Sequence, residues 1–474
     1  MKDMSMGKPL RVLYAFAIPM IISVLFQQFY NIADSLIAGN FIFDGGGALA
    51  AVNAAYPVTV VFIAIGNGFG VGGSVVISRI FGSKNYSRTK LCISTAIINI
   101  ILFAIIFTIL GIFTSEPLLT LMNSQDLGET VYQQSVDYLN IYIYGLSFLF
   151  LYNVVSSIFQ ALGNSNTPLY LLIGSTIFNV IIDIVFVKYC NMGVKGLAWG
   201  TFIAQGLASI ISLILLIVHL RKLPKEDAHL EGKDIEGVKK QVHSHKLLEN
   251  KYFSISIWSS IMIMALPSIL QNSTVSIGQL FVQGLINSFS NANLVAAYGS
   301  AFKVNYIIIS VFTTISNAMA TFTSQNIGAQ KLDRAKQGLK GGMLSTIVIA
   351  LVSTAIYLIF ARGLVSIFTI ENNEEIIYIG AQFLYILAPF YIIVCIKIIF
   401  DGFIRGAGDM AGFTTSTMTD LVLRVGLSYL FVKAFKWGYV SIWWSWPIGW
   451  VLGALVSFLF YISKRWLKTS QKKL

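Results

Sequence analysis

The sequence predicts an all-α integral membrane protein. It is expected to have twelve transmembrane helices in two six-helix lobes, related by a pseudo-twofold axis along the membrane normal. Three observations carry that expectation. Only 11% of the 474 residues are charged while 56% are apolar, against about 25% charged in soluble domains. Apolar runs of the roughly 20 residues needed to cross a bilayer recur along the chain. The second half also repeats local features of the first.

Taken in order, the runs cover about 12–39, 49–78, 91–114, 135–162, 167–189, 194–220, 257–287, 294–325, 335–361, 376–404, 412–435 and 438–462. An even number of spans puts both termini on one side. Arg79, Lys84, Arg88, Lys90, Lys331, Arg334, Lys336, Lys340 and Arg405 fall in alternate loops on the side of the basic tail, as do the Lys and Arg residues from Arg221 to Lys251. The other loops hold few cations and carry Glu116, Asp126, Glu129, Glu371, Glu374 and Glu375. By the positive-inside rule both termini are cytoplasmic. The net charge of +12 is then a topology signal. Nucleic acid is not an expected partner; the lipid bilayer is, through anionic headgroups. The short basic N-terminus leads into a run too long for a signal-peptide core, so the protein is expected as a multi-pass protein of the plasma membrane. Cys92, Cys190 and Cys395 are scattered, with neither metal nor disulfide spacing.

The one long polar interruption, 224–251, reads as a cytoplasmic linker between an N-terminal lobe, 1–223, and a C-terminal lobe, 252–474. Ala48–Lys90 aligns without gaps to Leu294–Lys336 at an offset of 246, matching Ala50/Ala296, Ala55/Ala301, Ser78/Ser324, Gly82/Gly328 and Arg88/Arg334. Gln160–Asn164 likewise faces Arg405–Asp409. Both halves start on the cytoplasmic side, so the repeats are parallel, as in transporters that rock two lobes about a central site. Pro19 and Pro267 lie early in spans one and seven, where each removes a backbone hydrogen bond and supplies a hinge.

Chemistry is expected where polar groups interrupt these spans, because an ionisable side chain at mid-membrane costs roughly 2.5–3.5 kcal/mol on insertion scales. In span one, Ser23, Gln27, Asn31 and Asp34 share a helical face. In span seven, Asn272, Ser276, Gln279, Gln283 and Asn287 do the same. Gln27, Asn31, Asn272, Gln279 and Gln283 are the expected lining of a substrate cavity. Asn179 and Asp183 stand four apart in span five, and Thr201 with Gln205 follows in span six. Asp34, Asn179, Asp183 and Thr201 are all hard oxygen ligands, suited to a proton held by one of two close carboxylates or to Na⁺. In the second half Asp420 and Arg424 are read as standing where the first has Asn179 and Asp183, an acid–base pair on one helix that can neutralise itself, structural in the first reading and substrate-related in the second. Lys303 and Lys397 are read as snorkelling or cavity-lining.

The run Gly66–Gly73 superficially matches a dinucleotide fingerprint but follows no strand; small residues there allow close helix approach or local flexibility. No nucleophile, phosphate-loop or metalloprotease motif occurs, so no catalytic residue, metal or cofactor is expected and the chain is not read as an enzyme.

The pieces Ala17-Ile18-Pro19, Tyr30-Asn31-Ile32-Ala33-Asp34-Ser35, Ala48-Leu49-Ala50-Ala51-Val52, Gly82-Ser83-Lys84-Asn85, Gln160–Ser165 and Asn179–Asp183 together, in this order, resemble the multidrug and toxic compound extrusion (MATE) transporters over essentially the whole chain. The resemblance implies a two-lobe, cation-coupled (proton or Na⁺) antiporter exporting bulky apolar or cationic drugs, with Asp34, Asn179, Asp183 and Thr201 as the coupling site. NorM-type members carry acids in span seven and mid-span ten. This chain has none in span seven and only Asp401 near the end of span ten, which is closer to the DinF-like and MepA-like branches. A small-molecule substrate is the expected partner, and two lobes in one chain make a monomer sufficient. The alternative is a flippase for lipid-linked oligosaccharide or a related amphiphile, which needs Lys303, Lys397 and Arg424 turned into a cationic cavity.

Overall fold

The computed structural model describes residues 3–41, 45–121, 128–224, 252–369 and 373–471, without the side chains of 29–36, 38–41, 45, 46, 49 and 53. The described residues are almost wholly helical. Helices α1 (Pro9–Phe41), α2 (Gly45–Gly82), α3 (Tyr86–Leu121), α4 (Glu129–Tyr144), α5 (Leu146–Ala161), α6 (Asn166–Ile184) and α7 (Gly193–Arg221) form the first half. The second half comprises α8 (Ile255–Asn287), α9 (Ala292–Gly328), α10 (Leu332–Ser366), α11 (Glu374–Leu387), α12 (Tyr391–Gly406), α13 (Met410–Tyr429), α14 (Val440–Ile462) and the short α15 (Arg465–Gln471). Each of the expected spans falls on one helix or on a broken pair. Helices α4 and α5 are bent by 49° and together pass as a span; Gly145 stands at the break. Helices α11 and α12 join through a 3₁₀ turn at Ala388–Phe390. Helix α13 is the exception to simple apolarity: it carries Asp420 and Arg424 and is not among the ten long apolar helices of the described residues.

Backbone geometry fixes the repeat more sharply than residue identity does. A π-helical segment, Val185–Tyr189, extends α6, and Leu430–Ala434 extends α13 in the same way. Left-handed backbone recurs at Gly163 and Gly408 and at Asn191 and Lys436, each pair 245 residues apart, and at Lys84 and Gln330, 246 apart. Turns of this kind exit a helix through positive φ, tolerated by glycine and less readily by other residues.

Two compact units result, one holding Ile22–Asn272 and the other Met4–Ile21 with Ser273–Lys473. They differ from the lobes expected at 1–223 and 252–474 by an exchange of the first halves of α1 and α8. Local packing explains the exchange. A Cβ on Gly68 would lie 2.5 Å from the Cα of Ile269, and one on Gly72 would lie 2.4 Å from that of Ala265. The α2 glycines thus let the α8 backbone close upon them. Upstream, Trp258 donates its indole N–H to Asn99 Oδ1 at 3.1 Å, and the Ser254 N–H bonds Thr95 Oγ1 at 3.2 Å. In the second unit, Met4, Leu13, Phe16 and Ala17 bury against Phe322, Phe403 and Trp466. Arg334 donates to the carbonyls of Met4, Met6 and Gly7, and Lys331 to that of Ser5. The expected linker lies outside the described residues apart from Pro224.

Candidate ion and substrate site

In the first unit the polar centre lies between α6 and α7. Asn179 Nδ2–H donates to Asp183 Oδ1 at 3.2 Å, across one turn of α6, and Asp183 is wholly buried. Helix α7 meets this carboxylate with Gly200, where a Cβ would stand 1.9 Å from Asp183 Oδ1. No other residue type leaves the carboxylate where it is. Thr201, the next residue, is half-buried and lines a small cavity with Tyr142, Gly145, Phe202 and Gln205, towards α4 and α5. That cavity has room for about one water molecule, and neither Asn179 nor Asp183 lines it.

The other expected residues are placed as follows. Asp34 and Asn31 lie on α1, but their side chains are outside the described residues. Gln27 is exposed in the first unit, where Asn272 donates to the carbonyl of Ser268 at 2.8 Å. Gln279 and Gln283 are half-buried in the second unit, with Gln283 donating to Asn287 Oδ1 at 2.9 Å. The polar stripe of α8 is therefore partly bonded along its own helix. Pro19 and Pro267 both lie inside continuous helices.

The second unit corrects three expectations. With the repeat register at 245, Asn179 corresponds to Arg424, and Asp183 to Ser428 rather than to Arg424. Ser428 faces Ser445 across 2.8 Å, at the position matching Gly200. Asp420 and Arg424 also do not neutralise each other. Arg424 stacks over the Trp446 ring, 4.2 Å from its centroid, and Asp420 approaches Lys397 Nζ at 3.7 Å. Lys397 neither snorkels nor lines an open space. Its side chain is 4% exposed and its ammonium donates to Asp401 Oδ2 at 2.9 Å. Ser457 of α14 donates to Asp401 Oδ1 at 2.6 Å. The four-residue spacing of Lys397 and Asp401 on α12 was a readable sign of this ion pair.

The chain matches the MatE family over residues 19–185 and 267–430. This protein is a member of the MatE family. Those two stretches are the two repeats, each ending in its π-helical extension. This MatE protein is 24% identical to the probable multidrug resistance protein YoeA of Bacillus subtilis, over 95% of this chain and 93% of the relative. It is 25% identical to the multidrug export protein MepA of Staphylococcus saprophyticus, over 94% and 91%. A third relative, named as an FAD transporter of Shewanella oneidensis, is 24% identical over 76% and 75%. Among solved structures, an outward-facing multidrug resistance MATE transporter of the MOP superfamily superposes with a TM-score of 0.85 at 21% identity, covering 100% of this chain and 99% of that one. At that identity the likeness establishes the two-lobe fold. The MatE protein is thus a multi-pass membrane transporter and not an enzyme.

Proposed function

We propose that this MatE protein is a multidrug exporter of the bacterial plasma membrane, working by alternating access with both termini cytoplasmic and a monomer sufficing. Bulky apolar or cationic small molecules would leave in exchange for a proton or Na⁺ bound at Asp34, Asn179, Asp183 and Thr201. One observation carries the reading: a wholly buried carboxylate, Asp183, bonded by Asn179 and accommodated by Gly200 inside a membrane span. A buried acid of this kind, costly in lipid, marks an ion pathway far more often than a structural joint. A coupling ion drives exchange only through its different affinities for the two access states, and a carboxylate that gains or loses its neutralising partner supplies such a difference. The multidrug names of two relatives support the substrate class.

The flippase reading loses ground because Lys397 and Arg424 are engaged inside the second unit with Asp401, Asp420 and Trp446. The test is uptake of a fluorescent cationic dye into liposomes carrying the purified protein, under separately imposed pH and Na⁺ gradients. Asp34→Asn and Asp183→Asn should each abolish gradient-driven movement while dye binding persists. Undiminished gradient-driven flux in both variants would overturn the assignment.

A further inference from the structure

We propose that the second unit contains a monovalent-cation seat, built by Asp401, Asp420 and Ser457, whose resident cation is the protein's own Lys397 ammonium. The cluster is assembled from three helices. Lys397 and Asp401 come from α12, Asp420 and Arg424 from α13, and Ser457 from α14. Lys397 Nζ lies 2.9 Å from Asp401 and 3.7 Å from Asp420. The side chains of Lys397 and Asp401 are 4% and 5% exposed, so the pair is removed from solvent.

Helix α14 is shaped around this cluster. A Cβ on Gly453 would meet Lys397 Cε at 2.6 Å, and one on Gly449 would meet Asp420 Oδ1 at 2.8 Å. One turn beyond Gly453, Ser457 bonds Asp401 and also meets Ser416. Asp420 Oδ1 is buried and has no hydrogen-bond partner among the described residues, so the seat holds an oxygen that the ammonium leaves unsatisfied.

The occupant sets the valence. Arg424 is held over the Trp446 ring, and Arg405, one turn along α12 from Asp401, is directed to Asn317 Oδ1 and the Phe413 ring, so neither guanidinium enters the seat. Lys397 does, and removing one partner of a buried ion pair is strongly destabilising unless another cation replaces it. Carboxylate and hydroxyl oxygens are the donors that hard cations select, and a seat filled by a single ammonium matches Na⁺ rather than a divalent ion. The second unit thereby carries its cation on a side chain and needs none from solution, independently of whether Asp183 is a coupling residue.

The test uses the full-length protein in detergent, reading Tm against added NaCl with choline chloride holding ionic strength constant. Lys397→Met empties the seat while keeping the stem's length. Relative to the Lys397 parent, this variant should gain an additional, saturable Na⁺-specific rise in Tm, on the order of 2 °C. Adding Asp420→Asn to Lys397→Met should remove that extra rise. Equal Tm responses to NaCl and choline chloride in Lys397→Met would overturn the proposal. So would persistence of the rise in the double variant. Failure of Lys397→Met to fold in NaCl would overturn it as well, since Na⁺ should then have refilled the seat.

Discussion

Gly200 of α7 stands so close to Asp183 of α6 that a single methyl group at its Cα would fall 1.9 Å from the carboxylate oxygen. The matching positions of the second unit, Ser445 and Ser428, instead share a hydroxyl contact at 2.8 Å. The missing side chain thus belongs with the acid. Gly200→Ala should displace Asp183 and destabilise the protein by about 1–3 kcal/mol, the usual range for overpacking a filled interior. Dye transport should fall with it. Combining Gly200→Ser with Asp183→Ser reproduces the second unit's pair and should recover Tm without recovering transport. A double-mutant cycle on Tm measures the coupling directly, and strict additivity would mean that the two positions do not interact.

Close approach of α2 and α8 rests on particular glycines. Gly68→Ala and Gly72→Ala each place a Cβ within 2.5 Å of α8 backbone atoms, whereas at Gly73 the nearest atom is a side-chain carbon of Ile261, 4.0 Å away. The first two substitutions should lower stability by roughly 1–3 kcal/mol each. Gly73→Ala should be tolerated. Thermal unfolding of the three variants in the same detergent gives the ranking, and equal losses at all three positions would contradict the packing described.

Much of this architecture was readable from the chain. Span positions follow from apolar runs, because a backbone crossing lipid must bond internally and therefore be helical. The glycine run on α2 was readable as close helix approach or local flexibility, and the contacts of Gly68 and Gly72 with α8 decide for close approach. The register of the second half was not. An i,i+4 polar pair looks the same after a slip of one turn, so Asp420 and Arg424 passed for the counterparts of Asn179 and Asp183. The left-handed residues Asn191 and Lys436, which fix the offset at 245, share no residue type and carry no sequence signature. Partner choice was also hidden. Asp420 binds a lysine on another helix rather than the arginine on its own, a tertiary choice made by the space at Gly449 and Gly453.

Arg334 binds three backbone carbonyls of the segment preceding α1, at Met4, Met6 and Gly7. A planar guanidinium with several fixed donors suits such a cluster, and a single ammonium does not. Arg334→Ala should cost about 1–3 kcal/mol, the range for charged hydrogen bonds and the carbonyls they leave behind. Arg334→Lys should recover less than half of that loss despite conserving charge. Tm of the three proteins, together with protease cleavage near the N-terminus, is the measurement. Full rescue by lysine would reduce the interaction to electrostatics.

The two exchanged helices each carry a proline shortly before the compact unit changes. In α1 Pro19 is two residues before the unit's end at Ile21, and in α8 Pro267 is five before Asn272. A proline there withholds the N–H that would bond the residue four positions earlier, Ala15 or Ile263, and lowers the cost of bending. Alanine restores the donor and favours a straight helix, intrinsically by up to about 3 kcal/mol. Pro19→Ala and Pro267→Ala should therefore leave Tm unchanged or raised while the maximal rate of dye transport falls and dye affinity holds. Pro57 provides the control: it lies inside α2, which remains within one unit throughout. Pro57→Ala should leave the rate intact, so a loss confined to Pro19 and Pro267 ties rate to the helices that change unit. An equal loss at Pro57 would make helix straightening a general defect and remove the case for hinges.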